Sequence, residues 1–73
     1  MTNLFKVGSM IHAKTWKEWF IVLGFEKEER ITNIWVFDNV DFDGDNLNEF
    51  TDISTSAINT NLRDGIWSVE SEY

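Results

Sequence analysis

The sequence predicts a mostly β domain of five short strands, with one short helical or 3₁₀ turn before the last strand. Three observations predict it. β-branched and aromatic residues gather in short runs, the composition that suits a pleated, half-buried surface. Gly, Asn, Asp and Ser separate those runs, and the chain contains neither proline nor cysteine. A single stretch carries helical spacing. With 73 residues and no linker, repeat or low-complexity tract, residues 1–73 read as one domain. Without cysteine there is no disulfide and no thiolate zinc site. The core must therefore hold the fold unaided, from four Trp, six Phe and many Ile, Val and Leu.

The first strand is expected over Met10 to Lys14, after Gly8–Ser9. Glu18 to Glu26 follows a short turn at Thr15–Lys17, and Arg30 to Asp38 follows a charged turn at Lys27–Glu29. Leu47 to Ile53 is a weaker strand entered from the Asp- and Gly-rich loop Asp41–Asn46. Ile66 to Glu70 is the last strand, after Asp64–Gly65. In Ser54 to Leu62, Ala57, Ile58 and Leu62 share one helical face. Ser54 or Thr55 can cap its start, and Gly65 suits its end. Asn59 and Asn61 are poor helix formers, so one or two turns are expected.

The second and third strands form a hairpin. A two-residue turn at Glu28–Glu29 would pair Leu23 with Ile34 and Ile21 with Val36 on one side, and Phe20 with Phe37 and Val22 with Trp35 on the other. Both faces would then carry large apolar groups. A sheet with one solvated face alternates apolar and polar residues. Either a curled barrel covers both faces, or one aromatic face is open to a partner.

Three segments carry a resemblance. Val7-Gly8-Ser9-Met10-Ile11, Trp19-Phe20-Ile21-Val22-Leu23-Gly24 and Asp64-Gly65-Ile66-Trp67 resemble the first-strand entry, the second strand and the final turn of SH3-like small barrels. The resemblance covers nearly the whole chain and implies a five-stranded SH3-like barrel. The ALYDY-type tract, the Trp-Trp pair and the closing Pro-Tyr of peptide-binding SH3 domains are absent, which puts proline-rich recognition in doubt. In size, acidity and lack of cysteine the chain also resembles small accessory proteins of tailed bacteriophages, several of which inhibit host factors.

Charge is unevenly placed. Residues 1–37 carry five basic and four acidic side chains, and residues 38–73 one basic and nine acidic, so the net −7 belongs to the second half. Such a field repels nucleic acid and attracts basic partners. The first residues hold no apolar signal core, and the longest apolar run, Trp19 to Phe25, is far too short to span a bilayer. A cytoplasmic protein with no membrane partner is expected, in the host cytoplasm if the phage resemblance holds.

Catalysis finds no support in the motifs. There is no Gly-rich phosphate loop and no Ser-His-Asp set beyond scattered serines and the lone His12, which should point away from Ile11 and Ala13. Asn39, Asp41, Asp43, Gly44 and Asp45 resemble the first half of an EF-hand loop, but position twelve falls on Phe50 and the glutamate comes one place early at Glu49. A solvated Asx-rich turn is the expectation, with no cofactor or metal. Trp16, Trp19 and Trp35 could stack bases, although the overall charge opposes phosphate contact. Core packing is expected for Trp67 and Trp19, less so for Trp16.

Protein binding remains. Asp38, Asp41, Asp43, Asp45, Glu49 and Asp52 would form a phosphate-mimicking stripe, and Trp35, Phe37 and Phe42 would supply aromatic anchors. The sequence thus predicts a non-enzymatic inhibitor of a basic, nucleic-acid-binding host protein. The alternatives are a nucleic-acid-binding small barrel, or a homodimer formed through the aromatic hairpin face.

Overall fold

A computed structural model of the chain describes residues 3–38 and 49–71. Its elements run β1 (Met10–Ala13), β2 (Glu18–Glu26), β3 (Ile31–Asp38), β4 (Glu49–Ser54), α1 (Thr55–Arg63) and β5 (Ser68–Ser71). The strands form one antiparallel sheet in the order β4-β3-β2-β1-β5. The helix joins the two edge strands, giving the small barrel-like fold expected. None of the described helices is long and apolar enough to cross a membrane.

Strand alternation places the core. Ile11 and Ala13 from β1, Phe20 and Val22 from β2, and Ile34 and Val36 from β3 are all buried on one face. Ile58 from α1 and Trp67 from the approach to β5 cover that face, and Phe5 closes it. His12 lies opposite Ile11 and Ala13, as predicted. The turn at Gly8 (φ 92°) starts the fold. Gly8 N–H donates to Val22 O at 2.9 Å and Val22 N–H to Ser9 O at 3.0 Å, extending the β1–β2 ladder beyond Met10.

The hairpin register differs from the expectation. At the tip, Glu26 pairs with Ile31 and Phe25 with Thr32, in the register that a Glu28–Glu29 turn demands. A bulge between Val22 and Gly24 then takes up Leu23, and every pair below it slips by one. Phe20 faces Val36, Val22 faces Ile34, Ile21 faces Trp35 and Trp19 faces Phe37. The slip sorts the side chains. Phe20, Val22, Ile34 and Val36 now share the core face, and the larger rings of Trp19, Trp35 and Phe37 go to the other.

The helix is α-helical over nine residues, longer than expected. Ser54 stands at its N-cap, yet its hydroxyl meets Ser56 Oγ at 2.9 Å and makes no cap bond. Tertiary contacts support the start instead. Buried Thr55 shares a 2.7 Å hydroxyl hydrogen bond with Thr32 on β3, and Asn59 Oδ1 accepts from Leu4 N–H at 2.9 Å. At the other end Gly65 has φ 74°. Ile66 N–H donates to Asn61 O at 2.9 Å and Gly65 N–H to Leu62 O at 3.2 Å, the paired bonds of a Schellman motif. A Cβ at Gly65 would meet no atom within 4 Å, so the penalty for a side chain is conformational alone. Gly65→Ala is therefore expected to lower the unfolding free energy by about 1 kcal/mol. Urea titration checks this, and an unchanged midpoint would show that the left-handed turn is not required.

Candidate protein-binding surface

The face of the sheet opposite the core is built from two cross-strand rows. Met10 pairs with Ile21, Ile21 with Trp35 and Trp35 with Phe50, which runs one row across β1, β2, β3 and β4. His12 pairs with Trp19 and Trp19 with Phe37 in the second. The His12 and Trp19 rings stack at 4.2 Å and 4°. Trp35 meets Phe50 edge to face at 4.3 Å and 73°. No described element lies over these rows. Their members are half-buried against each other, except Phe50, which is 68% exposed at the end of its row. Leu23, pushed out by the bulge, is 43% exposed beside it.

Carboxylates rim the β4 end of this face. Asn33 on β3, with its amide nitrogen turned toward both, donates to Asp52 Oδ1 at 2.6 Å and to Glu26 Oε2 at 3.1 Å. This holds two like charges together, with Asp52 on the same side of β4 as Phe50. Shallow recesses flank β4 on both sides. One is lined by Leu23, Asn33, Phe50 and Asp52, and the other by Trp16, Val36, Glu49 and Ile53.

The predicted anchors Trp35 and Phe37 lie side by side on β3 on this outer face, both half-buried. Of the predicted acidic stripe, Glu49 and Asp52 are exposed on β4. They are three residues apart on a strand and point to opposite sides of it, so they do not form one line. Asp38 pairs with Glu18 at the end of β3. Asp41, Phe42, Asp43, Asp45 and the EF-hand-like loop lie outside the described residues. Among the described residues no group of three His, Asp or Glu is placed to hold a metal.

One tryptophan falls otherwise than expected, and Trp16 keeps the exposure its charged turn implied. Trp19 belongs to the outer face, because its register partner is Phe37 and not a core residue. Trp16 is 43% exposed, yet it packs edge-on to Trp67 at 4.8 Å and reaches Phe20. Trp67 is in the core, as predicted. Sequence reasoning missed Phe50, Leu23, Glu26 and Asn33. Phe50 had a signal: it is three residues from Ile53, so the two cannot both face the core of one strand. Comparisons with protein-family models, curated proteins and solved structures find no match.

Proposed function

We propose that this chain is a non-enzymatic binding module for a basic protein, and that it inhibits a nucleic-acid-binding host protein by occupying its phosphate-contacting surface. The observation that carries the reading is Phe50. A large aromatic ring two-thirds exposed, propped by Trp35 and bordered by Asp52, which Asn33 ties to Glu26, has the make-up of an interface anchor with a charged rim. The acidic second half of the chain adds a field that speeds encounter with a cationic partner and orients it. A cytoplasmic setting, that of the host if the chain is phage-derived, fits such a target.

Affinity capture of bacterial lysate on the immobilised chain, at low and high salt, tests the reading. The expected result is a basic nucleic-acid-binding protein that is retained at low salt and released at high salt. Phe50→Ala is expected to weaken that complex by about tenfold or more, as hot-spot aromatics do. Joint reversal of Asp41, Asp43 and Asp45 to Lys is expected to slow association without unfolding the domain. If affinity is unchanged in the reversed variant, phosphate mimicry is wrong. If nothing is captured and sedimentation shows a concentration-dependent dimer, the outer face serves self-association instead.

A further inference from the structure

The edge of the sheet at β4 has a backbone pattern with a consequence for the kind of segment it takes. Thr55 N–H donates to Arg30 O at 3.0 Å, one step beyond the Ser54–Ile31 pair and in the same register. In an antiparallel ladder, residues that bond their neighbour alternate with residues that turn N–H and C=O away. Ile53, Thr51 and Glu49 therefore bond β3, Phe50 and Asp52 turn both backbone groups outward, and Ser54 turns out its N–H while its C=O, at the N-cap, serves α1. No further strand lies on that side among the described residues.

We infer that β4 accepts an extended, arginine- or lysine-bearing segment of the partner as a sixth strand, its basic side chain seated between the Phe50 ring and the Asp52 and Glu26 carboxylates. This rests on the proposed function and names the part of the basic partner that binds. The outward backbone groups supply the main-chain hydrogen bonds of strand addition, and the recesses on the two sides of β4 receive alternate side chains of the incoming strand. On the outer side a cation would meet the open surface of Phe50 and two carboxylates already gathered by Asn33. On the other side Glu49 borders the recess beside Trp16.

Charge decides the occupant. Two copies of this chain pairing edge to edge would bring Glu49 and Asp52 of one β4 against those of the other, the arrangement by which acidic side chains protect edges from self-pairing. A basic strand meets the same residues with favourable sign.

The probe is a capped heptapeptide alternating arginine with valine, titrated into the full chain at low salt. Three companion peptides accompany it: one with glutamate for arginine, and two N-methylated at alternate amides, one in each register, which keep the charge and lose the donors of one edge. Strand addition predicts saturable binding of the arginine peptide and slowed hydrogen exchange at the amides of Phe50, Asp52 and Ser54. It predicts weakening by about tenfold in one N-methylated register. Asp52→Lys should weaken binding similarly, and the glutamate peptide should not bind. Equal affinity for both N-methylated peptides, protection confined to other amides, or no binding at all would each overturn strand addition. Salt-sensitive capture of a basic protein would then still stand, so the two readings fail separately.

Discussion

Trp67→Ala is expected to remove a large part of the stability of this domain. Trp67 is 3% exposed and stacks edge to face against Trp16 at 4.8 Å and Phe20 at 5.7 Å. Its indole N–H also donates to Thr15 Oγ1 at 2.9 Å, which ties the β5 approach to the β1–β2 turn. Truncating a buried Phe or Trp to Ala costs about 3–5 kcal/mol, because the transfer free energy is lost and a cavity remains. A chain of 73 residues has about 4–11 kcal/mol in all. Without a disulfide to restrain the unfolded state, the variant should be partly unfolded at 37 °C. Trp67→Phe keeps a ring against Phe20 and loses mainly the Thr15 contact, which lies in an exposed turn. It should cost about 1–2 kcal/mol. Urea unfolding followed by far-UV circular dichroism separates the two. A loss below about 1 kcal/mol in Trp67→Ala would mean that the ring cluster does not hold the barrel together.

The second large effect has the opposite sign. Lys27, Glu28 and Glu29 have φ of 51°, 57° and 67°, three successive left-handed residues without a glycine among them. Arg30 N–H donates to Lys27 O at 3.2 Å across Glu28–Glu29. A turn with positive φ at both central residues is the type that Asn-Gly favours, since its twist matches the strands. Each such residue with a Cβ costs about 1–2 kcal/mol, part of which glycine returns through its freedom in the unfolded chain. Glu28→Asn with Glu29→Gly is therefore expected to stabilise the domain by about 1–2 kcal/mol, and to raise Tm by about 4–8 °C for each kcal/mol. Calorimetry measures this. The companion variant Glu28→Gln with Glu29→Gln removes the charge and keeps the backbone demand. If it gives the same rise, repulsion among Glu26, Glu28 and Glu29 is the cause, not strain.

Much of the architecture was legible. β2 was predicted with the bounds it has, because Glu18 and Glu26 bracket an apolar run interrupted only by Gly24. The helix and its Gly65 terminator followed from Ala57, Ile58 and Leu62 and a glycine at the right distance. Its length did not follow, because Asn59 and Asn61 argue against helix. Asn61 Nδ2 donates to Ala57 O at 2.8 Å, and Asn59 bonds Leu4 N–H and Asn3 Oδ1 in the N-terminal segment. A local side-chain bond at Asn61 and two contacts distant in sequence at Asn59 thus outweigh a propensity difference of about half a kcal/mol per residue.

The surface was legible in kind and not in membership. Large apolar groups on both faces of the predicted hairpin allowed for an aromatic face outside the core, and Trp35 and Phe37 are on the face opposite the core. What composition could not place was the bulge at Leu23. A one-residue slip interchanges the faces of a strand at almost no change in local propensity, and the choice is made by which set packs against Ile58 and Trp67. The sequence by itself therefore determined the strand order along the chain, the helix, the absence of disulfides and the presence of large apolar groups on both faces of the central hairpin. The tertiary structure alone decided which aromatics were left outside, that Phe50 ends their row, and that Asn33 brings Glu26 and Asp52 together. Those depend on cross-strand register, and register is set by the whole packed core at once, not by any local segment.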